Sequence, residues 1–174
     1  RDRGEIRLRG ADPAGRRGAP RTRRSDADGN LHGTIIEIPE FALVALVGPS
    51  GCGKTTFAAR HFLPTEVLSS DRCRGIVCDD ENSQAASDDA FALLRHIAGI
   101  RLKNRKLCVV DATNVQEEGR REIVRLARDF DALPVAIVFD LPESLCHERN
   151  RARPDRNFGP HVVRGQHRPM RKAL

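Results

Sequence analysis

The chain has 174 residues, 31% of them charged, a net charge of +6, and neither tryptophan nor tyrosine. That length supports one modest core and not two, and no apolar run approaches the roughly 20 residues of a membrane-spanning helix. The charged N-terminus lacks the apolar stretch of a signal peptide, and the five cysteines form neither a C-x-x-C pair nor a dense framework, so reduced thiols and a cytoplasmic location are expected.

Residues 1–30 hold nine arginines, five acids and almost no large apolar side chains, a composition that predicts a disordered basic tail. From Thr34 the pattern becomes globular. Short strands are expected at 34–38 and 42–47, the second so uniformly apolar that it reads as buried on both faces. A helix begins near Thr56, and Glu66-Val-Leu-Ser69 is a further strand. Ala90, Leu93, Leu94, Ile97 and Ile100 recur at helical spacing across about 85–102, with Ser83 or Ser87 as the cap. A strand at 106–110, an amphipathic helix at 117–128, a strand at 134–139 and a helix opened by Pro142 follow. Residues 162–174 read as a helix broken near Pro169. Strands alternating with helices predict a parallel α/β sheet with helices on both faces. No closing strand follows, so residues 31–174 are expected to form one such domain, truncated at its C-terminus.

Between the 42–47 strand and the next helix stands Gly48-Pro49-Ser50-Gly51-Cys52-Gly53-Lys54-Thr55, which fits G-x-x-x-x-G-K-[ST] in the strand–loop–helix context this pattern requires. Glycines allow the backbone to curl around a phosphate with its N–H groups inward, and the helix N-terminus adds positive potential. Lys54 is assigned to the β/γ-phosphates, the Thr55 hydroxyl to Mg²⁺, and Thr56 to the end of the same cradle. Cys52 lies in an electropositive loop that could activate its thiol, but a small packing residue is the preferred reading. The expected cofactors are ATP and Mg²⁺.

Three further constellations lie where ligands gather in open α/β sheets, beyond the carboxyl ends of strands. Asp71 follows the 66–69 strand and is placed to take a proton from an attacking hydroxyl; Arg74, three residues on, clamps an anionic acceptor. Asp111 ends the 106–110 strand, where a carboxylate can hold Mg²⁺ through water, and Thr113 and Asn114 are assigned to the acceptor or the loops around it. Four arginines fall within 149–156, and Arg149 with Arg153 on one helical face are read as a lid over ATP. Residues 144–174 hold eight basic and two acidic residues, a charge block suited to a polyanion.

The segments GPSGCGKTTF, FLPTEVLSSDRCRG, VVDATN and LPVAIVFDLPESLCHERNRARPDRNFGPHVV together closely resemble the kinase domain of bacterial polynucleotide kinase-phosphatase, from about Ile35 to Arg171. The resemblance implies a P-loop NTPase-type sheet with an arginine-rich lid, and transfer of the ATP γ-phosphate to a 5′-OH of RNA or DNA in end healing. It implies Asp71 as general base, Lys54 and Thr55 on phosphates and Mg²⁺, Arg74 on the acceptor strand, and Arg149 and Arg153 as lid arginines. In that family phosphatase and ligase-like modules share the polypeptide, and this chain has no room for them. The rival readings are a small-molecule kinase of the same architecture and a non-catalytic ATP-binding module. Dimerisation, and RNA against DNA, are left open by the residues.

Overall fold

The computed structural model describes residues 7–11, 35–152 and 160–171. In chain order these form β1 (Arg7–Ala11), β2 (Ile35–Pro39), β3 (Ala42–Val47), α1 (Lys54–His61), β4 (Val67–Ser69), α2 (Ser70–Cys78), α3 (Ser87–Lys103), β5 (Cys108–Asp111), α4 (Glu117–Asp129), β6 (Leu133–Val138), α5 (Glu143–Arg151) and α6 (Pro160–Arg171). The main sheet has the order β4-β5-β3-β6, and every pairing in it is parallel.

All six residues of β3 are buried, as its unbroken apolar run requires of a strand covered on both faces. On one face Leu43, Cys108 and Val110 pack with Leu94, Ala98 and Leu102 of α3 and Ala127 of α4. On the other, Val44, Leu46 and Val109 pack with Ala58 of α1 and Phe62 just beyond it. The expected α/β arrangement with helices on both faces is therefore the one found. Because all strands run the same way, the loops after β3, β4 and β5 open at one edge of the sheet.

Three local expectations give way. Within the stretch read as disordered, Arg7–Ala11 forms β1, paired in parallel with β2 from Arg7↔Ile35 to Ala11↔Pro39. A ladder of main-chain bonds asks little of side-chain composition, and an edge strand such as β2 is a template for it. The rest of 1–30 lies outside the described residues. The α3 N-cap is Ala86, with no side-chain cap bond, rather than a serine; Asp88 and Asp89 in the first turn supply the charge that complements the helix N-terminus. Finally, α6 runs without interruption through Pro169. An interior proline costs about 3 kcal/mol, but Met170 next to it is 1% exposed against Ala45, Val47 and Val115. Burying such a side chain returns about 1.5–3 kcal/mol.

Candidate active site

The loop from Gly48 to Lys54 takes its shape from close packing as much as from glycine's freedom. Gly51 and Gly53 both have positive φ, at 82° and 97°, and a Cβ on Gly51 would stand 2.4 Å from the carbonyl oxygen of Cys146 in α5. Only glycine fits there. The Gly48 N–H donates to the Thr113 carbonyl at 2.9 Å, which ties the start of the loop to the segment after β5. Lys54 is buried, and its Nζ donates to the carbonyls of Gly48 and Pro49, each at 2.9 Å, folding the ammonium back across the loop's mouth. Thr55 and Thr56 are exposed at the start of α1.

Cys52 is 2% exposed and packs with Cys146 and Val163, its Sγ 3.6 Å from Lys54 Nζ. It is a packing residue of the loop. Burial pushes the Cys146 and Cys73 thiols up from the usual value, and that of Cys108 up to about 12.

A cavity of about 280 Å³ opens in front of this loop. Ser50, Gly51, Gly53, Lys54 and Thr55 line one wall; Asp71 and Arg74 line another; Asp111 and Thr113 also reach it. Residues 57 positions apart in sequence, Lys54 and Asp111, thus face one space because β3 and β5 are neighbours in the sheet. Asp71 and Arg74 are joined in an ion pair across one turn of α2, capped at Ser69, whose hydroxyl accepts the Arg72 N–H. Arg74 is 8% exposed, and its Nε donates to the Glu81 carbonyl at 2.8 Å. Burial lowers its pKa, and the charge of Glu81 leads the neighbours that oppose the drop. Arg74 therefore holds Asp71 and the loop after α2 while keeping a face on the cavity.

Asn114 is not brought to the cavity as an acceptor contact. It is 8% exposed with a φ of 48°, and its amide nitrogen donates to the Leu46 carbonyl at 2.9 Å and to those of Val110 and Ala112 at 3.4 Å. It holds the ends of β3 and β5 together. Gly48, Pro49 and Cys52 likewise shape the loop from behind rather than lining the cavity. Arg149, exposed on α5, carries its guanidinium over the loop: Nη1 lies 3.7 Å from where a side chain on Gly53 would begin. Arg153 lies outside the described residues.

The cavity also holds residues that sequence reasoning passed over. Asn82 and Gln84 reach it from the α2–α3 connection, Ser87 from the first turn of α3, and Val162 and Gln166 from α6. Gln166 Oε1 accepts a hydrogen bond from the Ser50 N–H at 2.7 Å. For Gln84 a signal existed, since polar loops at the carboxyl edge of such a sheet carry ligands. For Gln166, 116 positions from Ser50, no sequence pattern pointed to the contact.

The donors fit the groups the motif implies. Backbone N–H groups around two positive-φ glycines form an anion nest. The Thr55 hydroxyl and the Asp111 carboxylate face the same space and are the hard oxygen donors Mg²⁺ takes. Among the described residues no group of three or more His, Cys, Asp or Glu side chains is placed to hold a metal. An ion here would accordingly keep waters and substrate oxygens as ligands.

Known structures resemble this fold. A chain of the Pnkp1/Rnl/Hen1 RNA repair complex is 26% identical with a TM-score of 0.65, over 78% of this chain and 46% of that one. The present chain thus spans less than half the length of that relative. The APS kinase CysC of Mycobacterium tuberculosis, solved with AMPPNP and APS, is 24% identical with a TM-score of 0.51, over 66% of this chain and 71% of that one. A gluconokinase from Sinorhizobium meliloti 1021 is 15% identical with a TM-score of 0.50, covering 75% of each chain. These last two share the fold. Residues 43–174 match the AAA domain family, and the chain belongs to that family as a P-loop kinase-like domain.

Proposed function

We propose that this chain transfers the terminal phosphoryl group of ATP to a 5′-hydroxyl end of RNA or DNA. The observation that carries the reading is the single cavity in which the phosphate loop faces the Asp71–Arg74 pair. A carboxylate clamped opposite the loop by a buried arginine suits a second substrate whose hydroxyl must lose a proton as it attacks.

In this mechanism the acceptor oxygen attacks the γ-phosphorus in line, and the bond from that phosphorus to the β–γ bridging oxygen breaks, leaving ADP. The hydroxyl proton passes to the Asp71 carboxylate. Loop N–H groups and Lys54 stabilise charge on the phosphate oxygens, and Arg149 approaches from the lid side. Thr55 and, through water, Asp111 would hold Mg²⁺, which would supply further neutralisation of charge on the phosphate oxygens. Arg74 is a positioning residue for Asp71, with its cavity-facing edge open to the acceptor's phosphate.

A nucleic-acid acceptor is favoured by the 26% identity to a chain of an RNA repair complex and by the basic block at 144–174. Small hydroxyl acceptors are the alternative within the same chemistry, since the fold is shared with APS kinase and gluconokinase. One assay separates them: γ-labelled ATP offered with a 5′-OH oligonucleotide, with adenylylsulfate and with sugars. Label on the oligonucleotide supports the proposal, and label on a small molecule alone overturns it. Asp71→Ala is expected to lower transfer by at least about 10²-fold, the usual contribution of a general base, while ATP binding persists. Retention of wild-type turnover would remove Asp71 from that role. Lys54→Ala is expected to damage ATP binding and turnover together.

A further inference from the structure

The first N–H on the cavity side of the phosphate loop is already taken. Ser50 N–H, which should point at an anion in a loop of this kind, donates instead to Gln166 Oε1 at 2.7 Å. Gln166 is presented by α6, whose inner face is seated at both ends: Val163 is fully buried against Cys52 and Cys146, and Met170 against β3. The helix therefore lies across the loop; Gln166 reaches the cavity between those two anchors, and Val162 just before the first of them.

From this contact we infer that Gln166 binds the transferring phosphoryl group. A primary amide carries an acceptor and a donor on one carbon. Its oxygen occupies the place beside the Ser50 N–H that a phosphate oxygen would take. When a triphosphate takes that N–H, the side chain swings aside and turns its –NH₂ to the phosphate oxygen, with no change of charge and no withdrawal of α6. Glutamate could serve only the first state and lysine only the second. The terminal phosphoryl is the group concerned. Ser50 and Gln166 line one cavity with Asp71 and Arg74, the pair assigned to the acceptor that attacks the terminal phosphorus.

This inference rests on the kinase reading, and its test separates the two. ATP, ADP and adenosine would be titrated calorimetrically into the full chain without acceptor, with thermal melts as the check on folding. Gln166→Ala is expected to weaken ATP by about tenfold, the loss of one hydrogen bond to a charged group, while changing ADP by less than about threefold. Gln166→Glu, which places a carboxylate against the phosphate, is expected to weaken ATP by about a hundredfold at an unchanged melting temperature. Gln166→Ala binding ATP as tightly as wild type, or more tightly, would overturn the inference and leave Gln166 a plug. Equal losses for ATP and ADP would overturn the assignment to the terminal phosphoryl. Failure of the wild-type chain to bind ATP would overturn the kinase reading itself.

Discussion

Gly51 carries the strictest steric demand in the phosphate loop. Its φ of 82° and the 2.4 Å separation from the Cys146 oxygen leave a methyl group nowhere to go, because that oxygen belongs to the backbone of α5. Gly51→Ala is expected to cost about 2 kcal/mol or more through strain and overpacking together, read as a lowered urea midpoint, with nucleotide binding falling alongside. Asn114 makes a comparable demand of a different kind. Its amide nitrogen serves carbonyls from both β3 and β5 while its own backbone is left-handed. Asn114→Ala should therefore destabilise by about 1–3 kcal/mol without selectively changing acceptor affinity. A specific loss of acceptor binding would return it to the cavity. The glycine and lysine positions were legible from sequence because the motif encodes them at fixed spacing. Asn114 was legible as a residue near the site but not in its role, which depends on two strands meeting beside it.

At the scale of the element, α5 and α6 are the helices packed against the phosphate loop. Asn150 in α5 is 4% exposed, and among the described residues neither its amide oxygen nor its nitrogen has a hydrogen-bond partner. A buried amide in that condition costs about 1–3 kcal/mol, so Asn150→Leu, similar in volume, is expected to raise the unfolding midpoint. The two helices are also joined by Glu143, whose Oε1 lies 3.2 Å from His147 Nε2 and accepts from Arg164 Nε at 3.4 Å. The His147 bond, ahead of Arg164, holds the Glu143 carboxyl below its usual pKa. A depressed carboxylate stabilises the fold above its unfolded pKa and ceases to do so as pH falls through its folded value. Glu143→Gln should therefore melt slightly lower than wild type near neutrality, with the difference closing as pH drops through the carboxylate range. Pattern reading located α3 and α4 within a few residues because their apolar positions are periodic, and the start of α5 from Pro142. It broke α6 at Pro169, since no sequence rule weighs a local defect against the burial of Met170 on a strand more than 100 positions away.

At the scale of the whole molecule, the sheet is covered unevenly. β3 is sealed, but β6 alternates exposed and half-buried positions, with Leu133 52% and Val138 38% exposed. Among the described strands β6 pairs only with β3, which leaves its other edge as a row of backbone donors and acceptors. Apolar side chains beside such an edge invite strand addition. Leu133→Lys is expected to raise the concentration at which light scattering sets in, with melting temperature little altered. The alternation of strands and helices in the sequence was enough to predict the parallel sheet. Its order was not, because adjacency is decided by packing and not by succession along the chain.

That order works as a gauge. With β5 standing between β3 and β4, the ends that carry the phosphate loop and Asp71 are two interstrand steps apart, about 9–10 Å at the usual spacing. Such a gap changes only in whole steps. Slipping β4 by a single residue would carry the start of α2, and Asp71 with it, about 3.3 Å along the sheet. Selection on this site can therefore alter what enters the gap far more readily than it can alter the width.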